Sequence, residues 1–208
     1  MPTTIATPTA LRILRAEHRS IAAVLHGLLH FVDQKLTGEP LPEARVFRAM
    51  LQYLDLYAER MHHPKEDLHL FARLRERTHD ADAVLDKLQE DHFFGLGAIQ
   101  SLEQAFMRYE EGGESYFDEF ARKAREYAAF YRNHMHTEED VLFPLAERAL
   151  SEADWRDIGT AFAAQQIPLA TEAEKRDLRK LFTHIVTITP PPIGVGPAAR
   201  VLEDAQGN

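Results

Sequence analysis

Apolar residues recur at steps of three and four along most of this chain, the period of a helix that buries one face. Leu11, Leu14, His18, Ile21, Leu25, Leu28 and Val32 form a first stripe, which stops at Thr37-Gly38-Glu39-Pro40. Pro42 is placed to open a second helix, whose face runs through Phe47, Leu51, Leu54, Ala58 and Met61 into His62. Asp80 or Asp82 can cap a third, with Val84 or Leu85, Leu88, His92, Leu96, Ile99, Leu102 and Phe106 on its stripe, before Gly112-Gly113 breaks it. The fourth carries Phe120, Tyr127, Phe130, Tyr131, His134, Glu138, Leu142 and Leu145. Strand signals are nearly absent. The pattern predicts an all-α chain: an antiparallel up-down four-helix bundle over residues 11–150.

Two shorter helices are expected over 151–188. Ser151 with Asp154 reads as a capping box ahead of Trp155, Ile158 and Phe162, and Thr171 with Glu174 as a second one ahead of Leu178, Leu181, Phe182 and Ile185. Residues 1–10 are small, polar and proline-containing and are expected to be disordered. Residues 189–208 are rich in proline and glycine and are expected to be extended, loose or draped on the surface.

All four stripes carry a histidine. His18 is followed by His62 and Glu66, and His92 by His134 and Glu138; the corresponding residues of the two halves lie 74, 72 and 72 positions apart. Residues four apart on an α-helix differ by about 40° in direction and about 6 Å along the axis. Each His-x-x-x-Glu pair therefore aims a nitrogen and a carboxylate at nearly one point. Imidazole suits iron, copper, zinc or nickel, and a carboxylate can bridge two ions. A lone pair of this kind is ordinarily an exposed hydrogen-bonded pair, and a lone histidine on an apolar stripe ordinarily a satisfied core residue. Burying four imidazoles and two carboxylates together is different, because each unpaired group would cost several kcal/mol, of order 2–7. Six ligands are too many for one tetrahedral zinc and too few to saturate two octahedral ions.

Composition narrows the field. The 208-residue chain has no cysteine, which excludes disulfides, iron–sulfur clusters and thiol nucleophiles. Its net charge of −9, with no basic run, argues against nucleic acid. It has no 18-residue apolar stretch and no charged-then-apolar leader, so a cytoplasmic protein away from the membrane is expected.

The sequence resembles the hemerythrin-like domain, also called the HHE cation-binding domain. The likeness is carried by EHRSI with His18, HHPKEDLHLF with His62 and Glu66, EDHFFG with His92, and HMHTEEDVLFP with His134 and Glu138, each His-x-x-x-Glu being followed by Leu-Phe at one offset. It covers Leu11 to Leu150; the later helices resemble extensions of bacterial members. It implies a non-haem di-iron centre, two oxo- or hydroxo-bridged iron ions held by His18, His62, Glu66, His92, His134 and Glu138. It further implies a small diatomic or peroxide ligand and a role in oxidative or nitrosative stress or iron handling, with weak peroxide- or nitric-oxide-consuming activity compatible. The alternative is a metal-dependent sensing module acting through a separate partner. Ferritin-like storage fits less well, since those sites use Glu-x-x-His.

Two departures stand out. Oxygen-carrying members place two histidines four apart on the third helix, where this chain has Leu88 and Leu96 around His92, so one iron is expected to lack a protein nitrogen and the centre to be more open. Those members also use an aspartate one residue beyond Glu138. Iron-cluster repair members share the four-histidine, two-glutamate set but often add a cysteine-containing module. Among the other polar groups, His63 and Glu139 sit about 100° round from a ligand, which points them to a neighbour or solvent. Asp67 is expected to pair with His63 or substitute for Glu66. His136 is expected to face away, and His69, His79 and His184 to lie on the surface. Pro64 should bend the second helix, and Tyr57, Tyr127 and Tyr131 are expected chiefly to pack.

Overall fold

The computed structural model describes residues 8–164 and 172–197, and among them there is helix and no strand. Helix α1 is Thr9–Leu36, so the helix begins inside the segment expected to be disordered; residues 1–7 lie outside the described residues. Helix α2 spans 44–77, beginning at Ala44 rather than at Pro42. It is α-helical at Ala44–Tyr53, π-helical at Leu54–His62, and π-helical again at Glu66–Phe71. Helix α3 is Asp82–Gly112. Its N-cap is Ala81 with no side-chain cap, which corrects the expected aspartate cap: Asp82 is turned to His79, 2.9 Å away. Gly113, with φ of 73°, makes the reversal that a residue with a Cβ would resist, and a short 3-10 turn follows. Helix α4 spans 117–149 and is π-helical at Glu138–Leu142.

Contacts along the helices fix the up-down order. Arg15 of α1 meets Glu139 near one end of α4, and Lys35 at the other end of α1 meets Glu114 just before α4. Arg75 late in α2 meets Asp86 early in α3, and Arg108 late in α3 meets Glu119 early in α4. Successive helices are therefore antiparallel, as the stripes predict.

The core is in two parts. The larger packs Phe31, Phe47, Phe106 and Phe120 with Ile21, Leu28, Met50 and Tyr127. The smaller packs Leu11, Leu14, Leu70, Phe71, Leu85, Leu142 and Phe143 near the start of α1. Buried polar residues from all four helices lie between them.

Helix α5, Glu152–Ala163, starts with the expected Ser151–Asp154 capping box and adds Ile158 and Phe162 to the smaller core. Asp154 also takes Arg73 at 2.9 Å and Arg77 at 2.8 Å, clamping α5 to the end of α2. Helix α6, Glu172–Ile188, buries Ile185 in the larger core and sets Phe182 against Tyr53. The Thr171 cap falls outside the described residues. Residues 189–197 fold back rather than trail: Val195 N–H donates to Val186 O and Gly196 N–H to Thr189 O.

Candidate metal centre

The six residues expected to hold metal converge in the layer between the two cores. His18, His62, Glu66, His92, His134 and Glu138 are all 6 % exposed or less. His18 Nε2 lies 3.1 Å from Glu138 Oε2 and 3.1 Å from His62 Nε2; His62 Nε2 lies 3.5 Å from Glu66 Oε2. On the other side, His92 Nε2 is 3.7 Å from Glu66 Oε2 and His134 Nε2 is 3.4 Å from Glu138 Oε1. Ligands about 2.1 Å from one ion stand roughly 3.0–3.4 Å apart when adjacent, so these spacings suit shared coordination. The atoms form two overlapping groups, His18-His62-Glu66-Glu138 and Glu66-His92-His134-Glu138, each within 4.8 Å and sharing both carboxylates.

The donor set asks for a cation. Both oxygens of Glu66, both of Glu138, and Nε2 of His92 and of His134 are buried without a hydrogen-bond partner. Leaving such atoms unmet costs about 1–3 kcal/mol each, and more for charged groups. Burial and the neighbouring Glu138 drive the Glu66 carboxyl well above the usual range. Burial would raise Glu138 too, but His134 and His18 hold it well below the usual range. Burial likewise opposes charge on His134, yet Glu138 and Asp91 push it up to about 9. A metal pair would satisfy all these atoms together.

Behind each of the four histidines stands a carboxylate from another helix. Glu17 of α1 takes the His62 Nδ1 proton of α2 at 2.8 Å, and Asp67 of α2 takes that of His92 on α3 at 3.0 Å. Asp91 of α3 faces His134 Nδ1 on α4 at 3.6 Å, and Glu139 of α4 meets His18 Nδ1 on α1 at 2.8 Å. The sequence thus hands each carboxylate to the next helix and closes a ring around the bundle. A proton held on Nδ1 of His18, His62 and His92 leaves Nε2 free to face inward, while His134 Nδ1 faces Asp91 without a hydrogen bond. Buried Lys65 also pairs with Glu17 and lies 5.2 Å over the Phe162 ring. Burial would raise Glu17, but the His62 hydrogen bond and the Lys65 charge bring it to about 2.

Of the two outcomes expected for His63, a neighbour or solvent, the structure gives the neighbour, the Tyr131 hydroxyl. His63 is 2 % exposed, and a ring nitrogen joins those of His92 and His134 within 4.8 Å. Neighbouring residues stand about 100° apart in an α-helix, whereas α2 is π-wound up to His62 and again from Glu66, with only His63–Lys65 α-helical between. An i→i+5 turn is wider and separates neighbours by a smaller angle, so His62 and His63 both face inward. Pro64, between the π segments, lacks the amide that would bond back to Arg60. Glu138 opens a π segment as Glu66 does, and these two segments contain a buried leucine each, Leu142 and Leu70.

Asp67 pairs with His92, not with His63. Tyr131 and Tyr127 do more than pack: Tyr131 OH lies 2.7 Å from His63 Nε2, and Tyr127 OH donates to Glu59 Oε1 at 2.7 Å. Tyr57 stacks on Tyr53. His136 is exposed beside Asp140, His79 and His184 are exposed, and His69 is half-buried against Phe162. Leu96 is 37 % exposed, at the edge of its stripe rather than in the core, while Leu88 is buried.

An open cleft of about 600 Å³ between α1 and α4 reaches the site at His18, with Arg19, Arg132, Met135 and Glu139 on its walls. No helix among the described residues is long and apolar enough to cross a membrane. No curated protein matches the chain closely enough to count as a relative. The family model of the hemerythrin HHE cation-binding domain matches residues 9–146, about two thirds of the sequence and all six residues expected to hold metal, and the chain belongs to that family.

Proposed function

We propose that this is a di-iron protein that binds or reduces a small oxidant, whether dioxygen, nitric oxide or peroxide, in oxidative or nitrosative stress or in iron handling, in the cytoplasm. The observation that carries the reading is the pair of buried carboxylates whose four oxygens have no hydrogen bond of good geometry among the described residues, ringed by four inward imidazole nitrogens. His18 and His62 would hold one ion and His92 and His134 the other, with Glu66 and Glu138 bridging. Iron bound there supplies redox equivalents and an open coordination position. The chain's own residues do the rest. The carboxylate ring fixes each imidazole. The apolar cores exclude bulk water from both ends. The cleft beside His18 admits a small molecule from one side. Weak consumption of peroxide or nitric oxide is consistent with this arrangement.

One contact supports a second reading, a sensing module. Lys65, bonded behind His62 through Glu17, rests on Phe162 of α5, so a change at the metals has a path to the C-terminal helices and to a partner docked there.

Elemental analysis with a near-ultraviolet spectrum before and after reduction tests the first reading. Two irons per chain and a reducible bridge absorbance support it; little metal, or a single zinc, overturns it.

A further inference from the structure

The two metal groups look equivalent, with two nitrogens and two shared carboxylates each, but the protein around them is not symmetrical. On the side of His92 and His134 a fifth imidazole is buried with nothing in the six-ligand scheme to do. His63 stacks on His92 with ring centroids 4.0 Å apart and meets His134 edge-on at 5.1 Å. Its Nδ1 lies 3.2 Å from Glu59 Oε2 but has no hydrogen bond of good geometry. Among the described residues its Nε2 is met only by the Tyr131 hydroxyl. The other four imidazoles have a carboxylate behind Nδ1 and face the centre with Nε2. His63 has the same outfit, Glu59 behind it and Tyr131 in front.

We propose that His63 is a third imidazole ligand of the metal seat built from His92 and His134, with the Tyr131 hydroxyl as a removable cap on its nitrogen. This rests on the two-metal reading above. It restores, from α2, the nitrogen that α3 does not supply. It also makes the seats unequal: three nitrogens and two carboxylates against two and two. The His18–His62 seat then keeps the more open positions, and it is the one beside the cleft. Small ligands enter at that seat.

Cobalt(II) is a suitable probe, since it takes the same ligands and shifts the resonances of coordinated imidazoles far from the rest. The metal-free protein is loaded with cobalt(II), and shifted, exchangeable imidazole N–H protons are counted by proton NMR. Five support the proposal and four overturn it. Cobalt affinities from chelator competition give a second readout in His63→Ala and Tyr131→Phe. Expected are a loss of about tenfold or more at one seat in H63A, the other seat holding its affinity, and no loss in Y131F. Unchanged affinities in H63A overturn the proposal. An equal loss in Y131F overturns it as well, because His63 would then act only through the tyrosine network. If the unmutated protein takes up no cobalt at either seat, the two-metal reading itself fails, an outcome distinct from these.

Discussion

Replacing Glu17 by glutamine separates what the ring of carboxylates does for the fold from what it does for the metals. Glu17 is 8 % exposed and has two partners, the His62 N–H and the Lys65 ammonium. Glutamine keeps the shape and an acceptor for His62, but it leaves Lys65, itself 3 % exposed, without a counter-charge. Breaking a buried pair by removing one partner costs about 3–5 kcal/mol. The Phe162 ring under the ammonium and the partial exposure of Glu17 favour the lower end, about 3 kcal/mol. Adding Lys65→Met removes the stranded charge and keeps the stem over Phe162, so the double variant should return to within about 1 kcal/mol of the parent, roughly 2 kcal/mol more stable than E17Q. Urea unfolding of chelator-stripped protein reads these differences. Metal affinity should behave otherwise: single and double variants both lack the carboxylate behind His62, and both should bind about 10–100-fold more weakly. If E17Q unfolds like the parent, or if the double variant is no more stable than E17Q, the buried pair is not the source of stability argued here.

Three further expectations follow from particular contacts. Gly95 lies against Glu59, and a Cβ there would stand 2.6 Å from Glu59 Oε2, so Gly95→Ala should displace the carboxylate from Tyr127 and destabilise by about 1–2 kcal/mol despite the better helix former, as read by urea unfolding; a stabilised variant would refute the contact. Asp154 is held well below its ordinary value of 3.8 by hydrogen bonds from Arg77 and Ser151, so its contribution is complete above that value and is lost as pH falls below it. Asp154→Asn should therefore flatten the acid limb of stability measured between about pH 5 and pH 2, with metal content at neutral pH unchanged; an acid limb as steep as the parent's would contradict this. His92→Ala should lose metal by elemental analysis while circular dichroism stays helical; full metal retention would show the ligand set to be wrong.

The helices were legible because their apolar stripes are long and each histidine interrupts one of them. The His-x-x-x-Glu pairs were legible because residues four apart stay close on either winding. The full burial of His63 is not legible from a period of 3.6, because the helix is π-wound on both sides of His63–Lys65; Pro64 is the local sign that the ordinary ladder fails there. The carboxylate ring leaves a trace in the sequence: an acid stands next to a proposed ligand in Glu17-His18, Glu66-Asp67, Asp91-His92 and Glu138-Glu139. What no local pattern carries is the partner of each, since every one of these acids serves a different helix. The same holds for Asp154, whose role in the capping box was readable and whose grip on Arg73 and Arg77 joins elements some 80 positions apart.

The central claim is that Glu66 and Glu138 each touch two metal ions. The most direct measurement is iron per chain, by elemental analysis of the reconstituted protein, beside Glu66→Ala and Glu138→Ala. The account predicts two irons in the parent and loss at both seats in either variant, because each carboxylate belongs to both groups. One iron in the parent, or a variant that keeps one seat at full affinity, would contradict it.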